Sequence, residues 1–262
     1  MAPDHGFQSL GHVLHNLDTT AMFARLTAAT EEAATPESSP DPECSRCRDV
    51  GFLRRNVSAD HPEFGRPIEC PCGLMAARRR LRIWEASQIP VSFQGFTLES
   101  YAERSGRHEL VAMLRAWQQG ARWLVLVGDI GVGKSGIAAA LLLEWMRSGQ
   151  SGLYLVTPTF LSRLRATYRE NGDDVDELTV LASVISVPLL VLDDLGTARL
   201  SEWGQEKLFT VINERAAAGR RTIVTSNLLV SDGALEAHIG PRTWDRIRGN
   251  ADVLELTGES LR

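Results

Sequence analysis

Lysine is scarce in this sequence: two of its 28 basic residues are lysines and the other 26 are arginines. The net charge is −5, so the chain lacks the overall positive field that would by itself indicate nucleic-acid binding, and any such contact must be local. There is also no apolar run of membrane-spanning length and no signal-peptide layout at the N-terminus. These absences exclude a membrane-spanning protein and predict a cytoplasmic one without a membrane partner.

Cysteine is also rare, and all four cysteines fall in one short segment, as Cys44-x2-Cys47 and Cys70-x-Cys72. In a reducing cytosol, two close pairs across a loop favour a tetrahedral Zn²⁺ site, whose binding energy substitutes for a core that so short a segment cannot build. The second pair is tighter than the usual spacing, and His61 in the loop is a possible substitute ligand. Two disulfides, which the compartment disfavours, and an iron–sulfur cluster are the competing interpretations.

One of the two lysines completes a phosphate-binding loop, which consists of Gly128, Asp129, Ile130, Gly131, Val132, Gly133, Lys134 and Ser135. The apolar run 122–127 predicts a buried strand before it, and 136–146 predicts a helix after it, which is the context that this motif requires. Glycines let backbone N–H groups converge on a phosphate at the start of a helix. We expect Lys134 to reach the β- and γ-phosphates of ATP and the Ser135 hydroxyl to bind Mg²⁺.

Acidic and polar residues follow two later apolar runs. Asp193 and Asp194 come directly after the predicted strand 188–192. Asp193 is placed to bind the hydration shell of Mg²⁺, and Asp194 to orient and deprotonate the attacking water. Asn227 follows the next predicted strand, 222–226, and can hydrogen-bond the γ-phosphate or the water.

Apolar runs alternate with helical patterns through the second half of the chain, which predicts an α/β fold with a parallel sheet and helices on both faces. The predicted organisation is an N-terminal helical segment (1–34), a proline-rich linker (35–43), a zinc-binding knuckle (44–72), a basic linker helix (73–87) and an ATPase domain (88–262). The predicted helix 158–170 is a candidate contact for single-stranded DNA or an ordinary amphipathic helix. Its candidate DNA-binding residues are Arg163, Arg165, Tyr168 and Arg169.

Arg242 and Arg246 lie four residues apart on one face of a predicted helix. A surface pair would have the same spacing. Their segment, Gly-Pro-Arg-x-x-x-Arg-Ile, follows the phosphate loop, the run Leu-Leu-Val-Leu-Asp-Asp-Leu-Gly and the run Thr-Ser-Asn in that order. This succession resembles the AAA+ ATPases of the DnaC-like helicase-loader branch, which also contains the IstB-type helper ATPases of transposition systems. The resemblance covers residues 88–262.

The resemblance implies a P-loop AAA+ domain with a five-stranded parallel sheet in the order 5-1-4-3-2 and a site completed by the neighbouring subunit of an ATP-bound homo-oligomer. It makes Lys134 and Ser135 the first nucleotide motif, Asp193 and Asp194 the second, and Asn227 the first sensor. Arg246 is similar to the arginine finger of this family, with Arg242 beside it.

Two departures from the family pattern matter. Asp194 stands where many AAA+ proteins have Glu, so we expect slow hydrolysis, and an arginine finger from the neighbouring subunit would make that hydrolysis depend on assembly. The chain stops just past the last predicted strand, so we expect no helical lid.

The first functional interpretation is a loader that binds ATP and single-stranded DNA and delivers a hexameric replicative helicase. The alternatives are a transposition helper ATPase that selects target DNA and a zinc-dependent nucleotide-binding DNA adaptor without turnover.

Overall fold

The computed structural model describes residues 43–166, 177–197 and 199–261. The predicted N-terminal helix, nearly all of the proline-rich linker, and the predicted contacts Tyr168 and Arg169 lie outside these residues. The chain divides between Cys72 and Gly73 into two compact units. Among the described helices, none is long and apolar enough to cross a membrane.

The first unit is built on a short antiparallel hairpin. Strand β1 (Phe52–Arg54) pairs with β2 (Pro67–Glu69), with Leu53 opposite Ile68. Cys47 and Cys70 are buried in this unit. An isolated pair of three-residue strands is marginal in water, so the hairpin needs a further source of stability.

The second unit contains nine described helices and five strands. The helices are α1 (Leu74–Ala86), α2 (Leu98–Ser105), α3 (His108–Gln118), α4 (Lys134–Arg147), α5 (Thr157–Ala166), α6 (Glu177–Ser186), α7 (Glu202–Ala217), α8 (Ala234–Ile239) and α9 (Pro241–Asn250). The strands are β3 (Trp123–Gly128), β4 (Gly152–Val156), β5 (Leu189–Asp193), β6 (Arg221–Ser226) and β7 (Ala251–Leu256). A 3₁₀ turn, Val91–Phe93, lies between α1 and α2.

The five strands form one parallel sheet in the order β4-β5-β6-β3-β7. Counting β3 as the first strand and reading from β7, this is the order 5-1-4-3-2, so the predicted topology is confirmed. The strand bounds agree with the predicted runs to within one residue. Because both faces of the sheet are covered, β3 and the first four residues of β5 are continuously apolar rather than alternating.

Side chains of β3 show how the two faces are filled. Leu124 and Leu126 belong to a core shared with α2, α3 and α4. Trp123, Val125 and Val127 belong to a second core shared with the helices α5 to α9. The carboxyl ends of β3, β5 and β6 therefore lie at one edge of a rigid three-layer sandwich, where ligands of such sheets bind.

A buried arginine connects the helices of the second core to the sheet. Arg215 of α7 is 0% exposed, and burial, followed by the nearby charge of Arg220, lowers its pKa to about 9. Its guanidinium donates hydrogen bonds to the backbone carbonyls of Val184, Ile185, Val187 and Arg221 and to the hydroxyl of Thr222. These bonds join the end of α6 to α7 and β6.

Candidate functional site

The phosphate-binding loop joins β3 to α4, as predicted from the sequence. Gly128, Gly131 and Gly133 all have positive φ angles, of 128°, 89° and 100°. A Cβ atom on Gly128 would lie 1.9 Å from the carbonyl oxygen of Leu256 in the neighbouring strand, so only glycine fits there. Successive turns of this kind let backbone N–H groups face an anion at the start of a helix.

Lys134 is the first residue of α4 and is 6% exposed. Its ammonium donates hydrogen bonds to the loop carbonyls of Gly128, at 2.8 Å, and Asp129, at 2.6 Å. Ser135 follows on the same first turn and is half-buried. The loop is anchored beneath by Val132, which is 1% exposed, while Ile130 at its tip is 69% exposed. The side chains expected to hold a phosphate and a metal thus lie at the positive end of the α4 dipole.

The chain that follows β7 lies against the phosphate-binding loop, a contact that sequence reasoning missed. The backbone N–H of Gly258 donates to the Asp129 carboxylate at 3.1 Å, and that of Leu261 donates to the Gly131 carbonyl at 3.0 Å. Arg104 and Arg107 donate to the carbonyls of Leu261 and Thr257. The loop is therefore fixed from one side by residues 257–261, whose sequence carries no signal of this role.

The two predicted acids end β5 in different conformations. Asp193 is 6% exposed, and its Oδ1 accepts a hydrogen bond from Thr225 Oγ1 of β6 at 2.5 Å. Asp194 is half-buried with φ 61°, a left-handed conformation that residues other than glycine seldom adopt. Its backbone N–H donates to Thr225 Oγ1 at 2.9 Å, and its carboxylate accepts from the Thr197 hydroxyl. Thr225 therefore fixes both acids.

Tyr154 of β4 is a second residue that sequence reasoning missed. It is 1% exposed, and its hydroxyl lies beside Asp193 and Ser135. Burial, and then the negative charge of Asp193, raise the pKa of Tyr154 above its ordinary value. The hydroxyl is close enough to interact with both neighbours, so Ser135 and Asp193 are themselves brought together. The sequence signals are weak, because Tyr154 is a lone phenol in the apolar β4 and Thr225 is one of several polar residues of β6.

Asn227 and the two predicted arginines lie on the surface. Asn227 is exposed directly after β6, and Arg242 and Arg246 are exposed on α9, whose other face buries Thr243, Trp244 and Ile247. Within the described parts of the chain, the side chains of Asn227, Arg242 and Arg246 make no hydrogen bond or ion pair. The structure thus brings Lys134, Ser135 and Asp193 together and leaves the two arginines facing outward.

The four cysteines converge in the first unit. Their Sγ atoms all lie within 4.8 Å of one another, with Cys44 and Cys70 at 3.8 Å and Cys47 and Cys72 at 3.7 Å. These distances are too long for a disulfide. A tetrahedral ion with zinc–sulfur bonds of about 2.3 Å would separate neighbouring sulfurs by about 3.8 Å, so the residues fit such an ion. His61 lies outside this group, and its Nδ1 accepts from the backbone N–H of Glu63 at 3.1 Å.

The pKa values of two of these thiols are shifted in opposite directions. Hydrogen bonds from the backbone of Cys47 and then of Arg46 lower the pKa of Cys44 to about 7. The Cys72 backbone also acts to lower the pKa of Cys70, but burial and the neighbouring thiols outweigh it and raise that pKa to about 11. A thiolate is the species that binds metal, and Cys44 ionises more easily than Cys70.

Several known proteins are similar to this chain. A family model for the IstB-like ATP binding protein matches residues 76–262. A putative insertion-sequence ATP-binding protein of Pseudomonas fluorescens is 38% identical over 151 residues, which are 56% of this chain and 63% of that protein. The replicative helicase loader DnaC of Escherichia coli K12 is 24% identical over 172 residues, 65% of this chain and 69% of the loader.

Solved structures support the same fold. The crystal structure of the DnaC helicase loader matches with a TM-score of 0.57 and 25% identity, over 64% of this chain and 99% of that one. The crystal structure of DnaI matches with a TM-score of 0.56 and 23% identity, over 69% of this chain and 100% of that one. At this identity the match supports the shared fold and no more.

The insertion-sequence relatives are matched over less than two thirds of their length, 63% for the Pseudomonas protein and 56% for a protein of Sinorhizobium fredii. The family model, in contrast, matches most of this chain, from the basic helix α1 through the last strand and the residues after it. The chain therefore belongs to the family of IstB-like ATP-binding proteins, with the P-loop ATPase fold of the AAA+ class.

Proposed function

We propose that this protein is the ATP-hydrolysing helper of an insertion-sequence transposition system, switched by nucleotide and active as an assembly on DNA. The 38% identity to an insertion-sequence ATP-binding protein carries the choice of system, since the helicase loader DnaC is more distant at 24%. Binding of ATP itself follows from the family, and the geometry of the phosphate-binding loop supports it.

The residues around the loop fit ATP with Mg²⁺. Lys134 and the backbone of the loop would hold the β- and γ-phosphates. Ser135 and Asp193 offer the hydroxyl and carboxylate oxygens that Mg²⁺ prefers, and the bound ion would neutralise charge on the phosphates. Asp194 would take a proton from the attacking water, and Asn227 would hold that water or the γ-phosphate. An Asp reaches less far than a Glu, which supports slow turnover.

The exposed arginines of α9 support a site that is shared between subunits. Arg246 has no described partner in its own subunit, and its exposed position would allow it to enter the site of a neighbouring copy, with Arg242 beside it. An arginine supplied in this way stabilises the charge that develops on the transferred phosphoryl group. Hydrolysis would then require a homo-oligomer.

A groove between α5 and the start of α7 supports a contact with single-stranded DNA. The guanidinium of Arg165 lies 4.8 Å from the centre of the Trp203 ring and donates to the Ser201 hydroxyl at 2.8 Å. Arg199 lines the same groove and is exposed. Positive charge next to an aromatic ring is the combination that binds phosphates and stacks bases without sequence preference.

The first unit, whose four converging cysteines we propose to bind Zn²⁺, favours a second candidate function. A cysteine knuckle before the ATPase domain is a feature that we associate with helicase loaders rather than transposition helpers, and the DnaC loader is also a structural match. In this second candidate, the protein would deliver a hexameric replicative helicase to single-stranded DNA, and the N-terminal region would bind the helicase.

The test is affinity capture with the tagged full chain, Mg²⁺ and a non-hydrolysable ATP analogue in extract of the source cells, followed by mass spectrometry. Lys134→Ala is the matched control for nucleotide dependence, and Cys44→Ser tests whether the cysteine unit forms the contact. Nucleotide-dependent recovery of a transposase supports the helper. Recovery of a replicative helicase by the intact chain, but not by Cys44→Ser, contradicts the helper and supports the loader.

ATP hydrolysis distinguishes the transposition helper and the helicase loader from an adaptor that binds nucleotide without turnover. Purified full-length protein is assayed for ATP hydrolysis with and without single-stranded DNA over a wide range of protein concentrations. Hydrolysis that increases with concentration and with DNA supports an assembled ATPase. Nucleotide binding without hydrolysis under any of these conditions would leave the zinc-dependent adaptor as the function.

A further inference from the structure

A buried phenol of β4 lies beside the nucleotide site. Tyr154 is 1% exposed, and its hydroxyl oxygen is among the buried side-chain atoms that have no hydrogen-bond partner of normal geometry among the described residues. Leaving such a group unpaired is unfavourable, so this hydroxyl is available to a partner that binding supplies.

The register of the sheet explains where this hydroxyl lies. Val156 is opposite Asp193 in the β4–β5 pair, and Tyr154 precedes Val156 by two residues on the same face. The Tyr154 side chain therefore lies on the face that also carries Asp193, and its hydroxyl neighbours both the Asp193 carboxylate and the Ser135 hydroxyl. These are the two side chains that would hold Mg²⁺ in the proposed function.

Asp193 already has one fixed oxygen. Oδ1 accepts from Thr225 on β6, one position beyond the Leu192–Val224 pair of the β5–β6 ladder. Tyr154 stands on the strand at the other side of β5. Asp193 is thus flanked by a donor from each neighbouring strand, and the second donor is the one without a partner. A carboxylate that binds a metal is commonly oriented by such outer donors.

We propose that Tyr154 is a positioning residue for the metal of the nucleotide site, donating a hydrogen bond to the Asp193 carboxylate or to a metal-bound water once Mg²⁺ and nucleotide are in place. This inference rests on the proposed function, because it needs the metal–nucleotide complex to bind at Ser135 and Asp193. It assigns to Tyr154 an effect on metal affinity that a purely structural core residue would not have. Phe93, whose ring centre lies 6.3 Å from that of Tyr154, packs against the ring from the segment before α2.

The experiment is a Mg²⁺ titration of the full chain with a fluorescent ATP analogue at fixed concentration, read as anisotropy and repeated in EDTA. Tyr154→Phe keeps the ring and its packing and removes the hydroxyl. We expect the Mg²⁺ concentration for half-maximal binding to rise about tenfold, the lower end of the usual effect of losing an outer-shell partner, while binding in EDTA is unchanged. Tyr101→Phe is the comparison variant, since Tyr101 is 0% exposed and its hydroxyl is also unpaired in the described chain.

Each of the following outcomes would contradict either the role of Tyr154 or the proposed function. An unchanged Mg²⁺ requirement in Tyr154→Phe, or an equal loss of affinity with Mg²⁺ and in EDTA, overturns the positioning role. An equal rise in the Mg²⁺ requirement in Tyr101→Phe also overturns it, because the effect would then follow from loss of any buried hydroxyl. If the unsubstituted protein binds no nucleotide at any Mg²⁺ concentration, it is the proposed function that fails.

Discussion

Thr225 Oγ1 donates a hydrogen bond to Asp193 Oδ1 at 2.5 Å while accepting one from the backbone N–H of Asp194 at 2.9 Å. A single hydroxyl on β6 thus fixes the side chain of one predicted acid and the backbone of the next. Because Thr225 and Asp193 are buried and Asp194 is half-buried, this bridge holds the end of β5 in one geometry.

Replacing Thr225 by Val keeps the shape of the side chain and removes this bridge. We expect Thr225→Val to lower the free energy of unfolding by about 2 kcal/mol, since a buried carboxylate loses a donor. Thr225→Ser retains the hydroxyl and is expected to lose well under half as much. Urea unfolding followed by circular dichroism measures both. Equal losses in the two variants would mean that the methyl group, not the hydroxyl, stabilises this region.

The scarcity of lysine provides a matched pair of variants at the phosphate-binding loop. Lys134→Ala should reduce affinity for ATP or its rate of hydrolysis about 100-fold, because the ammonium that faces the phosphates is lost. Lys207→Ala removes the other lysine, which lies on α7 and pairs with Glu177 of α6 at 2.8 Å, and this variant should bind ATP normally. Fluorescent-nucleotide titration gives the affinities, and a normal Lys134→Ala protein would contradict the assigned site.

A mixing experiment tests the arginine of α9. Lys134→Ala and Arg246→Ala should each be inactive alone in ATP hydrolysis. In an equal mixture, an intact loop from one subunit can meet an intact arginine from the other, so about a quarter of the normal activity should return. Arg248→Ala, which removes another exposed arginine of α9, is the control and should remain active. No recovery on mixing, despite normal assembly, would place Arg246 outside the shared site.

Metal analysis of the purified protein tests the cysteine unit. We expect about one zinc ion per chain, lost in Cys44→Ser and retained in His61→Ala, because tetrahedral ligation uses the four converging thiolates. Mass spectrometry of dissolved metals gives the identity and stoichiometry. Iron in place of zinc would indicate a cluster, and zinc loss in His61→Ala would make the histidine a ligand.

The sheet and the phosphate-binding loop could be predicted because their signals are local. Apolar runs such as 188–192 identify a strand without knowledge of its neighbours, and the glycines around Lys134 encode the shape of the loop directly. The roles of Thr225, Tyr154 and Arg215 depend on which strands are adjacent and in what register, so their neighbours in the sequence do not reveal them. The same holds for the contact of residues 257–261 with Gly131. The hairpin of the first unit has strands of three residues, too short for periodicity to show.

The two loop carbonyls that accept from Lys134 also bear on how a nucleotide binds and leaves. The Lys134 ammonium already donates to the carbonyls of Gly128 and Asp129, so a phosphate that binds must compete with these two acceptors. Association then becomes an exchange of hydrogen bonds, and its net gain is smaller than the attraction of the two charges alone suggests. When a nucleotide leaves, the same two carbonyls can accept from the ammonium again, so the loop returns to the hydrogen bonds that it makes on its own.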